Sequence, residues 1–124
     1  MQSLGATPHP GCNYTITFTS VSDFLDKALV VEDTMAGAGV GVIDTAAGSI
    51  TRQLIVGIST VDARHSTFIR TTTSAAPFPV TVTEPITASE AISAINPYVS
   101  SCSTGLILPS TVTCSCKLKY AAFI

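Results

Sequence analysis

The sequence predicts a mainly β fold, a small antiparallel β-barrel or sandwich with one short helix at about residues 88–96 and an extended N-terminal arm. Three observations support this prediction. Threonine and serine are spread over most of the chain together with many valines and isoleucines, and most of these residue types favour strands. Short segments alternate between apolar and polar side chains, as half-buried strands do. Glycines and prolines separate these segments and predict turns.

The first half of the chain gives an arm, a strand and a turn. Residues 1–13 hold two prolines and two glycines without periodicity, which predicts the arm. Residues 14–19 alternate perfectly between apolar side chains and threonine, which predicts a strand. Ser22 is expected to cap a short helical turn over residues 23–26. The glycine-rich residues 35–44 predict a turn that continues into a strand.

The second half predicts three further strands before the helix. Residues 52–58 contain a continuous apolar run, and residues 67–72 and 78–83 are rich in β-branched side chains. The sequence Thr87-Ala88-Ser89-Glu90 has the form of a capping box and predicts the start of the short helix. A last alternating strand is expected at residues 111–120. Residues 14–124 are therefore expected to form a single β-rich domain.

The scarcity of charge predicts a protein that is buried in an assembly. Charged residues make up 11% of the chain and hydrophobic residues 46%, whereas soluble domains average ~25% charged residues. The mean hydropathy of +0.48 would leave a monomer poorly protected against association. A neutral, threonine-rich secreted domain is the alternative interpretation of the same composition.

Nucleic-acid and membrane partners are not expected. The chain has six basic residues and a formal net charge of −2, which gives no strong basic footprint for nucleic acid. No run of apolar residues approaches the ~18 that a membrane span needs. The N-terminal residues lack the pattern of a signal peptide. Either the protein stays in the cytoplasm that made it or a leader has been removed, and the retained Met1 favours the first alternative.

No catalytic or cofactor-binding constellation is recognisable, so an enzyme is not expected. The glycines of residues 37–41 lack the spacing of a dinucleotide or triphosphate loop and predict a tight turn. Asp62, His65 and Ser66 are the residue types of a hydrolytic triad, but neighbours on one short turn cannot align in series, so they are interpreted as a polar turn. A solvated face is the interpretation of the acidic residues Asp23, Asp26, Glu32 and Asp33.

The four cysteines, Cys12, Cys102, Cys114 and Cys116, are compatible with free buried thiols, with disulfides or with a metal site. Cys114 and Cys116 are two residues apart on a predicted strand, so their side chains share a face. Cys12 and Cys102 can be the partners of Cys114 and Cys116 only if the two ends of the chain meet. A zinc site that also uses His9 is disfavoured, because Cys-x-Cys on a strand is a poor chelate.

Two segments resemble turns of tailed-phage capsid decoration proteins, which are head-stabilising cement proteins. Residues 54–59 with Asp62-Ala63 resemble a strand and Asp-Ala turn of that family, and residues 80–82 with 86–90 resemble a second strand and turn. The resemblance covers about residues 28–108. It implies a small β-barrel that forms trimers or other clusters on a capsid surface, with a terminal arm against the shell.

The resulting hypothesis is a structural virion protein that stabilises a phage head through protein contacts. Its expected partners are the major capsid protein and copies of itself, its expected location is the capsid surface after synthesis in the host cytoplasm, and no cofactor is expected. The alternatives are the principal coat protein of a small virus or phage and a secreted, disulfide-bonded adhesive module. The expected assembly contacts lie in the arm and the apolar tail, at Pro8, Pro10, Phe123 and Ile124.

Overall fold

The computed structural model describes residues 11–102, and this part of the chain is mainly helical. Two long helices are followed by a short one, and two short strands enclose the helices in the chain order. The elements are β1 (Cys12–Tyr14), α1 (Val21–Val42), α2 (Ser49–Thr72), α3 (Ala88–Ile95), a 3₁₀ turn (Asn96–Tyr98) and β2 (Val99–Cys102).

The first long helix begins at a side-chain cap. The Ser20 hydroxyl accepts a hydrogen bond from the Asp23 backbone N–H at 3.1 Å, and the Asp23 carboxylate accepts one from the Thr19 backbone N–H at 2.8 Å. These two bonds satisfy backbone groups that a helix start leaves without partners. Gly48, at a φ of 81°, precedes the first residue of α2, a conformation that glycine adopts at little cost.

Apolar residues recur on both long helices at alternating spacings of three and four. On α1 the row comprises Val21, Phe24, Ala28, Val31, Met35, Ala38 and Val42. On α2 it comprises Ile50, Leu54, Ile58, Val61 and Phe68, with His65 between the last two. Such spacing keeps one face of a helix apolar over its full length.

The two long helices form a hairpin that packs through small side chains. Gly39 of α1 approaches the Ser59 side chain of α2 so closely that an added Cβ would overlap the serine hydroxyl. Ala36 and Ile69, at 3% and 8% exposure, are the two buried hydrophobic side chains among residues 11–102. The contact between the helices is therefore close but the buried apolar core is thin.

One side of the hairpin is covered by the segment that follows α2. The Ile86 backbone N–H donates to the Gly37 carbonyl oxygen at 3.2 Å. A Cβ at Gly41 would overlap the Ile86 carbonyl oxygen, so this segment lies directly on the backbone of α1. A cavity of about 500 Å³ lies between residues 77–86 and the two helices.

A further side of α1 is covered by α3 and the strand pair. Thr87 and Glu90 form a reciprocal capping box at the start of α3. The strands β1 and β2 are antiparallel, with Cys12 opposite Cys102, and a disulfide joins these two cysteines. A cavity of about 690 Å³, lined mainly by apolar side chains, lies between α1, α3 and the strands.

The predicted β-barrel or sandwich is wrong, because the segments assigned to strands at residues 35–44, 52–58 and 67–72 lie mostly in α1 and α2. Short apolar and β-branched runs fit either a strand or a buried helix face, and tertiary packing overrides β propensity here. The turn expected at residues 37–41 is helical. The helix predicted after Thr87 is present, but the helical turn expected near Ser22 is the start of a helix of 22 residues capped by Ser20.

The predicted arm and final strand fall largely beyond the described residues. Residues 1–10 and 111–120 lie outside them, while β1 begins at Cys12, inside the segment that was assigned to the arm. The division into an arm and a single domain at residue 14 therefore stays a prediction. Within residues 11–102, no helix is both long enough and apolar enough to cross a membrane.

Candidate metal centre

Three side chains that can ligate a metal converge between the two long helices. Glu32 comes from the middle of α1, and Asp62 and His65 come from α2. One ligand atom from each of the three lies within 4.8 Å of the others. The three residues are called the metal cluster below.

The hairpin and the helical repeat bring these residues together. Asp62 and His65 are three residues apart, so they lie on neighbouring positions of one helix face. The antiparallel arrangement of α1 and α2 places Glu32 opposite this face. The cluster therefore depends on a tertiary contact between residues that are about 30 positions apart in sequence.

In the structure His65 and Glu32 form a hydrogen-bonded pair. The His65 Nδ1 lies 3.1 Å from the Glu32 Oε2, and the Glu32 carboxylate accepts this bond when Nδ1 carries its proton. The His65 side chain is 55% exposed and the Glu32 side chain 27%. A metal ion that enters the cluster would replace this bond.

Asp62 supplies the clearest sign that a cation fits here. Its Oδ2 atom is buried and has no hydrogen-bond partner within residues 11–102. A buried carboxylate oxygen without a partner is costly, and buried charges are normally paired or bound to a metal. A cation in the cluster would satisfy this oxygen.

The donor set narrows the choice of metal. Two carboxylates and one imidazole suit divalent first-row transition metals. Imidazole binds zinc, iron or copper, and carboxylate oxygens also bind harder ions such as manganese. Three protein donors leave at least one coordination position open in a tetrahedral site and more in an octahedral one. The cluster is therefore compatible with one such ion.

The prediction of a polar turn at Asp62 and His65 is wrong. Asp62 and His65 were interpreted as a polar turn, but both lie within α2, which continues to Thr72. Ser66, the third residue of the rejected triad, is 5% exposed and its hydroxyl lacks a partner within the described residues. The signal that could have revealed the site is the spacing Asp62-x-x-His65, once a helix is assumed for this segment.

The acidic residues of α1 are paired rather than simply solvated. Asp23 is 2.8 Å from the Lys27 ammonium, and Asp33 forms an ion pair with Arg70 of α2. Glu32 bonds to His65 across the same helix pair. Three of the four acidic residues of the predicted solvated face therefore have side-chain partners while they stay partly exposed, and Glu32 contributes to the metal cluster.

The structure pairs Cys12 with Cys102, whereas the sequence reasoning considered these two cysteines only as partners of Cys114 and Cys116. Cys12 and Cys102 form a disulfide with a Cα–Cα distance of 4.2 Å, so neither is available as a thiolate ligand. Cys114 and Cys116, together with the expected assembly contacts Pro8, Pro10, Phe123 and Ile124, lie outside the described residues.

Comparison with known families points to one helical family. A family model described as a ferritin-like domain matches residues 1–75. This match covers more than half of the chain and includes α1, α2 and all three residues of the metal cluster. No curated protein matches the chain.

Proposed function

The chain belongs to the ferritin-like domain family, and from this premise we propose that it binds a divalent first-row transition-metal ion through Glu32, Asp62 and His65. The observation that carries the proposal is the convergence of these three ligand atoms within 4.8 Å. The partnerless Asp62 Oδ2 supports it.

The ligand types and spacing of the metal cluster can be compared with those of ferritin-like metal proteins. Dimetal proteins of the ferritin-like type place a glutamate on some helices and a carboxylate-x-x-histidine pair on others, all directed into the bundle. Asp62-x-x-His65 has this spacing with aspartate in place of glutamate, and Glu32 takes the position of the single carboxylate. The described residues supply one such half-set.

Each residue of the cluster has a distinct part in holding the ion. Asp62 offers its buried oxygen, which has no competing donor. His65 gives up its bond to Glu32 and offers a ring nitrogen, while Glu32 offers a carboxylate oxygen. A bound ion of this class supplies Lewis-acid or redox chemistry, and the open coordination positions would be filled by water or by a partner.

The earlier functional hypothesis changes accordingly. The resemblance to phage decoration proteins is wrong, because the family that matches is the helical ferritin-like domain and not a decoration-protein family. A virion role, a capsid partner and a capsid location therefore stay untested predictions without that support. The expectation that the chain is not an enzyme also stays a prediction, since metal binding alone does not imply turnover.

Metal titration of the purified 124-residue chain tests the proposal. Isothermal calorimetry with Zn²⁺, Mn²⁺ and anaerobic Fe²⁺, with elemental analysis after desalting, should give about one ion per chain for at least one metal. His65→Ala and Asp62→Asn should each weaken binding by on the order of 100-fold, because each removes a direct ligand.

The matched control is Asp33→Asn. Asp33 is also a carboxylate of α1, adjacent to Glu32 in sequence, but it pairs with Arg70 and lies outside the cluster. Its loss should leave the affinity within about threefold of the wild type, since Asp33 is not a ligand and its charge acts on the ion only through screened Coulomb forces. Metal content well below one ion per chain for all three metals, or equal losses in Asp33→Asn and Asp62→Asn, would contradict the proposal.

A further inference from the structure

Residues 13–15 form the one N-glycosylation sequon of the chain. The motif consists of an asparagine, any residue except proline, and then a serine or threonine. The chain has one other asparagine, Asn96, and Pro97 follows it directly, so it lacks the motif. Because so short a motif also arises by chance, its significance depends on where the structure places Asn13 and on the compartment in which the chain folds.

The structure places Asn13 on the outer face of the short strand pair. Asn13 is exposed in β1 and lies opposite Ser101 of β2, which is exposed as well. The register shift after Asn13 leaves Ser100 without a residue opposite it, and Ser100 is exposed too. The neighbouring Tyr14 and Cys102 instead line the apolar cavity on the other face. A group attached to the Asn13 amide therefore extends into solvent on the described part of the chain.

The hydrogen bonds of Asn13 are compatible with a sugar on its amide nitrogen. The Asn13 Nδ2 donates to the Ser101 Oγ at 3.0 Å, and the Asn13 backbone carbonyl accepts a bond from the Ser100 hydroxyl at 3.1 Å. An amide nitrogen carries two hydrogens, so a sugar that replaces one leaves the other for Ser101. The Thr15 backbone N–H donates to the Tyr98 carbonyl oxygen at 2.9 Å, a main-chain contact that a glycan does not alter.

The disulfide next to the sequon indicates an oxidising compartment. Cys12, which directly precedes Asn13, is joined to Cys102. Disulfides persist in secreted proteins and in the secretory pathway, whereas cytosolic thiols are kept reduced. N-glycosylation of the sequon belongs to the same pathway in eukaryotic cells. Two chemically independent features of the strand pair therefore indicate one route of synthesis.

Exposed apolar side chains follow the sequon directly. Within residues 11–102, Tyr14, Ile16 and Phe18 are 58%, 40% and 49% exposed, and charged residues make up only 11% of the chain. Exposed apolar surface with little charge favours association. A glycan is bulky and solubilising, so at Asn13 it would protect this apolar segment where charge does not.

We propose that Asn13 carries an N-linked oligosaccharide, which the chain receives in the eukaryotic secretory pathway in which the Cys12–Cys102 disulfide persists. The donor is an oligosaccharide linked through a diphosphate to a polyprenyl lipid. The Asn13 Nδ2 forms a bond to C1 of the first sugar, the bond from C1 to the diphosphate oxygen breaks, the lipid diphosphate leaves, and Nδ2 releases one proton. This route differs from the cytoplasmic synthesis expected from the N-terminal residues.

Secretion of the 124-residue chain from cultured eukaryotic cells, behind a cleavable leader, tests the proposal. The secreted protein should exceed the 12.8 kDa mass of the bare chain by one oligosaccharide, and peptide N-glycosidase should remove the excess. Glycan release in heavy-oxygen water labels the asparagine that carried the sugar, and peptide mapping should find the label at position 13. A secreted protein with the bare mass overturns the proposal.

Substitutions within the sequon separate the motif from the fold. Thr15→Ser retains the motif and should retain the glycan, whereas Thr15→Ala and Asn13→Gln should lose it. Asn96→Gln is the matched control, because it makes the same change at the asparagine without the motif, and it should keep the glycan. Chains inside the cells are assayed together with the secreted ones, so a variant that fails to fold still reports its mass. A glycan that persists in Thr15→Ala and Asn13→Gln overturns the assignment to Asn13.

The role of the glycan and the route of synthesis each have a separate test. Secreted Thr15→Ala should associate at a lower protein concentration than Thr15→Ser in light scattering, and equal association overturns the protective role. Chain made in a reducing cytosol and purified with reductant should have free thiols and a lower midpoint of urea unfolding. An unchanged midpoint with free thiols overturns the proposed route. None of these results bears on the metal cluster, which lies on α1 and α2.

Discussion

At the scale of single residues, α1 uses its acidic side chains as specific partners. Asp23 accepts hydrogen bonds from the Lys27 ammonium and from the Thr19 backbone N–H. The bond from Lys27, followed by the backbone bond from Thr19, lowers the pKa of Asp23 below its ordinary value. Asp33 and Glu32 instead reach across to α2, where they meet Arg70 and His65.

The lowered pKa of Asp23 predicts an acid dependence of helix stability. A carboxyl whose pKa falls on folding stabilises the protein fully above its unfolded pKa of about 4, and this contribution is lost as the pH falls through the folded pKa. Asp23→Asn should therefore lower the melting temperature at pH 7, and the difference from the wild type should shrink toward zero near pH 2. Thermal melts by circular dichroism at several pH values measure this.

Lys27→Met provides the partner test, because it removes the largest cause of the shift while leaving the helix cap at Ser20 in place. The double variant Asp23→Asn, Lys27→Met should lose less stability than the sum of the losses in the two single variants. The reason is that both single changes remove the same interaction. A constant difference between Asp23→Asn and the wild type from pH 7 to pH 2 would contradict the assignment.

At the scale of elements, glycine decides how closely α1 meets its neighbours. Gly39 faces Ser59 of α2, and Gly41 faces the backbone carbonyl of Ile86. Glycine lowers the stability of a helix interior by ~0.5–1 kcal/mol relative to alanine. This cost is offset on α1 by contacts that only a residue without a Cβ permits.

Alanine substitutions at two glycines should therefore have opposite effects. Gly41→Ala should destabilise the protein by about 1–3 kcal/mol, because the added Cβ overlaps a backbone carbonyl that cannot rotate away. Gly57→Ala on α2 should stabilise it by about 0.5–1 kcal/mol, because nothing lies within 4 Å of the added Cβ.

Urea unfolding followed by circular dichroism measures both glycine variants against the wild type. Gly57→Ala is the matched control, since it is the same substitution in the interior of the neighbouring helix. Stabilisation by both substitutions would show that residues 84–86 do not pack on α1 in solution.

At the scale of the whole molecule, one disulfide links the two ends of the described chain. Cys12 of β1 and Cys102 of β2 are 90 residues apart in sequence, and the bond encloses all three helices. A crosslink stabilises mainly by restricting the unfolded chain, and the effect grows with loop length. It is especially valuable here, because few apolar side chains of residues 11–102 are fully buried.

Loss of this disulfide should lower stability by about 4.6 kcal/mol, the chain-entropy value for a loop of ~90 residues. Cys102→Ser or treatment with a reductant should produce the same decrease in the midpoint of urea unfolding. The reductant should have no further effect on Cys102→Ser. A wild-type midpoint that is insensitive to reductant, with both thiols shown by alkylation to be free, would contradict the pairing.

The capping box is the element that the sequence predicted best. Thr87 and Glu90 specify the start of α3 through hydrogen bonds between neighbours, namely Glu90 N–H to the Thr87 hydroxyl and Thr87 N–H to the Glu90 carboxylate. The Thr87 backbone N–H and, second, the Thr87 hydroxyl donate to the Glu90 carboxylate and lower the pKa of Glu90 below its ordinary value. A signal of this kind lies within four residues, so no knowledge of the fold is needed to interpret it.

The metal cluster could be predicted from the sequence only in part. The Asp62-x-x-His65 spacing is present in the sequence, but it indicates a metal site only when residues 49–72 are known to be helical. The strand predicted at residues 52–58 rests on a short apolar run, and a run of this length fits both a strand and a helix. Only the row of apolar residues that continues over the whole of α2 favours the helix.

The sequence by itself determined the local features of this protein: the charge-poor composition, the capping box at Thr87 and the need for an apolar surface to be covered. The tertiary structure decided the helix hairpin, the Cys12–Cys102 pairing and the meeting of Glu32 with Asp62 and His65. The two groups of features differ because their interactions act over different distances along the sequence. Caps and turns are fixed by bonds between near neighbours, whereas the choice between helix and strand for threonine- and valine-rich segments depends on what they pack against.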